Sequence, residues 1–142
     1  MSTTFNKFNV FVQDMANGKH NLGSDTIKVA LTNVAPVASN TVFANITEIS
    51  AGNGYTAGGA TSTQTSSVQT AGTYRLITGN VTTTASGGSV GPFRYVVVYN
   101  NTQTSPLKPL IGYYDFGSNV TLNNGDSFST NFDQTNGLLS VT

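Results

Sequence analysis

The run Gly91-Pro-Phe-Arg-Tyr-Val-Val-Val-Tyr-Asn100 limits what this chain can become more than any other stretch. In an extended conformation Phe93, Tyr95, Val97 and Tyr99 lie on one face, and Arg94, Val96 and Val98 on the other. Both faces are largely apolar. A strand of this kind has to be covered on both sides, which places it in the middle of a sheet. Its β-branched and aromatic side chains suit a pleated surface. Gly91-Pro92 opens the strand and Asn100-Asn101 closes it.

Further strands follow from the same pattern. Ile27–Thr32 is a clear strand, and Val42–Ser50 mixes strand with irregular chain. Residues 51–59 carry Gly52, Gly54, Gly58 and Gly59 and read as a long turn whose backbone visits positive φ. Ala60–Thr70 alternates weakly and is rich in Thr and Ser, as an edge strand would be. Thr73–Thr78 and Val81–Thr84 are strands interrupted at Gly79-Asn80. Leu110–Phe116 is expected to return antiparallel to residues 93–99. Val120 and Leu122 lead to Asn124-Gly125, a strong hairpin signal, with Phe128, Thr130 and Phe132 alternating beyond it. Asn136-Gly137 marks another turn before a last strand, Leu138–Val141. Eight or nine strands divided by turn signals predict an all-β, mainly antiparallel fold of the β-sandwich or jelly-roll type, in one domain spanning 1–142.

Only the N-terminus breaks this pattern. Phe5, Phe8, Val12 and Met15 fall at helical spacing with Phe11 beside them. They predict a short helix over about 4–16, capped at Thr3 or Thr4 and stopped at Asn17-Gly18. A strand competes with it, since Phe8, Val10 and Val12 also alternate.

Charge is the unusual quantity. Asp, Glu, Lys and Arg form 8% of the 142 residues, against about 25% in an ordinary soluble domain. Six acids balance six bases, and the four Lys and two Arg are scattered. Nucleic-acid binding needs clustered cations, so no nucleic-acid partner is expected. Without cysteine there is neither a disulfide framework nor a thiolate metal site. Residues 1–7 show no basic segment followed by an apolar run, so no signal peptide is expected. No apolar stretch nears the ~20 residues of a membrane span, and no membrane partner is expected. Sheet proteins that live alone guard their edges with Lys, Pro or inward charges. This chain has few such guards, and zero net charge favours association, so its edges are either short and twisted or covered by neighbouring subunits, and the second is the expectation.

The residues offer little reactive chemistry. His20 is the single histidine and sits among loop residues, where a structural role is the ordinary one. One His without Cys is a poor zinc donor set. No serine stands in a Gly-x-Ser-x-Gly setting. Asp14, Asp25, Glu48, Asp115, Asp126 and Asp133 could in principle pair for glycoside hydrolysis. Most fall at turns or strand ends, where Asp bonds its own backbone. Asn123–Asp126 resembles a calcium loop only faintly and lacks its ligand spacing. Residues 51–59 are not a phosphate loop, since no Lys-Ser/Thr follows. Asn45, Asn80, Asn100 and Asn119 head glycosylation sequons that a chain this rich in Asn and Thr produces by chance. Tyr113 and Tyr114 suggest a sugar-stacking platform, but adjacent strand residues point to opposite faces, so at most one is available. No catalytic, cofactor-binding or metal-binding residue is assigned, no cofactor is expected, and the chain is not expected to be an enzyme.

Four stretches together resemble a family of small structural proteins of tailed bacteriophages. They are Lys19–Asn33, Ile46–Gly59, Ser86–Tyr95 and Leu110–Asp115, and the resemblance extends over nearly the whole chain. It implies a virion component made in the host cytoplasm, foremost a head decoration or cement protein on the capsid surface. The implied partners are the major capsid protein and further copies of the chain, as an oligomer such as a trimer at threefold positions. Such a protein would bridge capsomers through small contacts repeated on a fixed lattice. A tail or head–tail connector part, and a carbohydrate-binding adhesion module on the virion, are the alternatives. No catalytic motif accompanies the resemblance.

Overall fold

A computed structural model describes residues 4–142. They form an all-β, antiparallel structure with one short α-helix. The strands are β1 (Asn6–Lys7), β2 (Ile27–Thr32), β3 (Ala60–Thr61), β4 (Gln64–Thr70), β5 (Thr73–Thr78), β6 (Val81–Thr84), β7 (Val90–Asn100), β8 (Leu110–Leu122), β9 (Ser127–Thr130) and β10 (Leu139–Val141). The helix α1 runs Asn9–Ala16, and a 3-10 turn occupies Phe43–Asn45. Three sheets result, ordered β1-β8-β7-β2-β3, β10-β5-β4 and β6-β9. This division into five, three and two strands does not reproduce the paired sheets of a jelly roll.

Strand β7 holds the centre of the large sheet, as its two apolar faces require. Val96, Val97, Val98, Tyr99 and Asn100 are fully buried. On one face Phe93, Val96 and Val98 join Val29, Leu31 and Ile111, and meet Leu76 of β5, Val81 of β6 and Leu139 of β10. The two small sheets therefore close this face. On the other, Val97, Tyr99, Ala30 and Leu110 are covered by Phe8, Phe43 and Ile46. Phe43 stacks on Tyr99 with ring centroids 4.1 Å apart.

Strict alternation placed Phe93 with Val97 and Tyr99, and the structure corrects this. Phe93 packs with Val96 and Val98 instead. Pairing shifts register between Phe93 and Tyr95, because Phe93 lies opposite Val120 and Tyr95 opposite Asp115. Residues 116–119 bulge out of β8 there, and the side-chain parity of β7 reverses across the irregularity. Arg94, freed from the core, pairs with Asp115 through Nε and Nη2 at 2.8 and 3.0 Å.

The helix is shorter than its periodicity predicts. Residues 6–7 are strand, and Phe8 is the extended N-cap residue, its N–H bonded to the Ile111 carbonyl. Phe5 packs toward one core cluster and Phe8 toward the other, as an extended chain beside β8 dictates. Thr4 is not a cap, and Thr3 lies outside the described residues. Val12, expected on the buried face, is half exposed, while Phe11 and Asp14 are buried. The tertiary pull of the β8 edge overrides the local helical spacing of Phe5 and Phe8.

Asn123–Asp126 does turn the chain, with the Asp126 N–H bonded to the Asn123 carbonyl. The expected hairpin does not form, because β9 pairs with β6 and not with β8. The turn seats against residues 85–87: the Ala85 N–H bonds Asp126, the Gly125 N–H bonds Ala85, and Asn124 Oδ1 accepts from the Gly87 N–H. Ala60–Thr70, read as one edge strand, is divided between β3 of the large sheet and β4, the edge of the three-stranded sheet.

Candidate functional site

Acidic residues are the natural place to look for chemistry, and three of the six, Asp115, Asp126 and Asp133, serve the backbone next to them. Asp126 accepts from the Asn123 N–H at 3.0 Å. Asp133 accepts from the N–H groups of Thr135 and Asn136, both at 2.8 Å, which hold its carboxyl below the usual carboxylate range. The Arg94 hydrogen bond, and then the Gly117 N–H, do the same for Asp115. Arg94–Asp115 is the single ion pair among the described residues.

Two acids do more than the sequence suggested. Glu48 Oε2 accepts from the Tyr55 hydroxyl and from the Gly58 N–H, both at 2.6 Å. The Tyr55 hydroxyl in turn accepts from the Leu31 N–H at 3.0 Å. That amide lies beyond the end of β3, whose pairing with β2 stops at Val29. Tyr55 thus supplies the acceptor that a neighbouring strand would otherwise give. Its hydroxyl pKa is raised, chiefly by burial and then by the Glu48 hydrogen bond. Tyr99 donates to the Gly58 carbonyl, and burial lifts its pKa to about 12. These bonds pin the glycine-rich loop 51–59 onto the large sheet. At Gly59 the fit leaves no room: φ is 78°, and a Cβ would stand 1.9 Å from the Val29 carbonyl oxygen.

Asp25 is the second. Buried between distant segments, its Oδ2 accepts from the Asn21 N–H at 2.9 Å, Asn100 Nδ2 at 2.7 Å and Gln103 Nε2 at 2.8 Å. Desolvation opposes its charge, but these hydrogen bonds prevail and lower its pKa. Asn100 Nδ2 also meets His20 Nδ1 at 3.1 Å. His20 Nε2 is buried, so the ring presents no free nitrogen to solvent. Spacing in sequence gave no sign of this network, since His20, Asp25 and Asn100 are joined only by the fold.

The other candidate residues fall into place as structure. Asn45 Oδ1 accepts from Thr41 and Val42, Asn80 Oδ1 from Phe132, and Asn100 is fully buried. Three of the four sequon amides are therefore used by the fold, and Asn119 is exposed. Tyr114 points into one core cluster and Tyr113 packs against the other, so the pair forms no common platform. Among the described residues no three His, Asp or Glu side chains gather as metal ligands. No helix among them is long and apolar enough to cross a membrane.

What the surface offers is uncharged sheet edge. The outer strands of the small sheets are β4 and β10 in one, and β6 and β9 in the other. None of these four contains a charged residue. β4 is the longest, largely exposed, and carries Val68 at 58% exposure. β10 borders a hollow of about 600 Å³, walled by Phe11 and Val12 of α1 and by Leu138 and Val141. Val34, Val37 and Leu107 stand more than half exposed on loops. Such surface can bind by main-chain pairing and apolar contact, with little electrostatic steering.

No protein-family model, no curated protein and no solved structure matches the chain.

Proposed function

We propose that the chain is a structural protein of a tailed-bacteriophage particle, seated on the outer capsid surface as a decoration or cement protein that bridges capsomers. The observation that carries this is the absence of charge from β4, β6, β9 and β10. Solitary sheets guard such edges, because unpaired backbone groups recruit other chains. Uncharged, Thr- and Ser-rich edges suit a protein held permanently among neighbours. The resemblance to small virion proteins supports the same assignment.

The partners are the major capsid protein and further copies of the chain. Each contact can be small, since a fixed lattice presents many at once and raises the effective concentration. Internal pressure pulls capsomers apart, and a bridging protein opposes this by surface that separation would expose. The hydrogen-bonded clamps at half-buried Glu48 and buried Asp25 fix the loops that frame the body, so it binds without reorganising.

Protein composition of purified particles, measured by quantitative mass spectrometry, tests the proposal. A copy number matching the capsomer lattice supports decoration. A number matching a single vertex or the tail assigns the chain to a connector or tail instead. Absence from particles, or glycan binding by the isolated protein without particle association, refutes it.

A further inference from the structure

The hydrogen bonds around Asn100 leave its amide no choice of orientation. Its Oδ1 accepts from the backbone N–H of Thr102 at 2.9 Å, so the carbonyl end faces that loop. Its Nδ2 donates to Asp25 Oδ2 at 2.7 Å. The second Nδ2 hydrogen is directed to His20 Nδ1 at 3.1 Å. A donor facing Nδ1 requires a lone pair there, so His20 is neutral with its proton on Nε2.

Protonation would place an N–H against the Asn100 N–H. The amide could yield only by turning, which breaks its bonds to both Asp25 and Thr102. Those bonds tie the segment 20–25 to the loop that follows β7. We propose that His20 is a proton-sensitive latch: a proton at Nδ1 displaces Asn100 and loosens segment 20–25 from loop 101–103, leaving Gln103 Nε2 as the remaining hydrogen bond from that loop to Asp25. Asp14 Oδ2 on α1 is buried and without a hydrogen bond, as is His20 Nε2.

The groups facing His20 set the direction of the response. Asp14 approaches from α1 and Asp25 from the turn before β2, and both favour the charged ring. Phe11 packs on it, with centroids 5.1 Å apart, and Tyr74 of β5 lines with His20 a second hollow, separate from the one beside β10. Lys19 precedes it in the chain. Burial outweighs the two carboxylates, so the folded pKa lies below the ordinary value of 6.5. The released form therefore binds the proton more readily. Closure is complete above the ordinary histidine pKa and weakens as pH falls from there toward the lowered folded value. This latch does not depend on the proposed place in a virion.

Long-range ¹H–¹⁵N NMR of the whole protein, with amide exchange between about pH 7.5 and 5.5, tests it. The expected neutral-pH state is the Nε2–H tautomer. On acidification the opening equilibrium read at the Thr102 amide, which Asn100 Oδ1 holds, should rise by about tenfold after correction for intrinsic exchange, the linkage limit for one proton. The amides of β2 and β7 should hold their protection, which separates release from unfolding. His20→Gln should open equally at both pH values. An Nδ1–H tautomer at neutral pH, unchanged protection at Thr102, or equal acid opening in His20→Gln overturns the proposal. The first two outcomes need only the unaltered protein.

Discussion

Tyr55→Phe removes one oxygen and tests whether a side chain stands in for a missing strand. Tyr55 is buried, with its hydroxyl between the Leu31 N–H and Glu48 Oε2. Phenylalanine fills the same space, so no cavity forms. The Leu31 amide, buried in β2, loses its acceptor at about 1–3 kcal/mol. The charge-assisted bond to Glu48 is worth about as much, but Glu48 is half-buried, keeps the Gly58 N–H and can recover solvent. The expected loss is about 3 kcal/mol. For a domain of this size that is a fall in Tm of about 6–12 °C. Urea unfolding with an unchanged m-value would report it cleanly. Tyr74→Phe is the control, because its hydroxyl meets only the part-exposed Ser67 at 2.8 Å and should cost about 1 kcal/mol or less. If Tyr55→Phe falls within about 0.5 kcal/mol of the parent, the clamp does not hold loop 51–59 and the reasoning fails.

Gly59→Ala should cost about 3 kcal/mol or more, measured by the same unfolding assay, because a Cβ meets the Val29 carbonyl at 1.9 Å in a left-handed backbone. Val68→Lys should leave monomer stability within about 0.5 kcal/mol, since the side chain is mostly exposed, yet weaken self-association in sedimentation velocity by charging the β4 edge. Alkaline pH should destabilise the fold. Tyr55, Tyr99 and Tyr114 all have raised pKa values in the folded state, so the unfolded chain loses their protons first, from pH 10 upward. Stability present below pH 10 is then lost as pH rises toward 12, by up to about 4 kcal/mol per pH unit if all three act, and urea midpoints at pH 9, 10 and 11 would show it.

The central sheet was legible because β7 is apolar on both faces, a pattern that only double coverage satisfies. β2, β5 and β6 were legible from β-branched runs bounded by Gly, Asn and Pro. The helix boundary was not. Phe5 and Phe8 suit a helical stripe, and the β8 edge that claims them is more than a hundred residues away in sequence. The Asn124-Gly125 turn was visible, but its partner strand was not, because turn chemistry fixes the reversal and not the sheet that β9 joins. The parity change at Phe93 depended on a bulge in the opposite strand. Local backbone bonding by Asp126 and Asp133 was foreseeable. Asp25 and Glu48 were not, since their partners come from separate segments that only the folded chain unites.

Hydrogen exchange of the chain free and bound on intact particles tests most directly whether its uncharged edges exist to be covered. Added protection concentrated in β4, β6, β9 and β10, with the β7 core unchanged, is the predicted result. Exchange at those edges that is identical in both states, or no binding to the particle at all, would contradict the account.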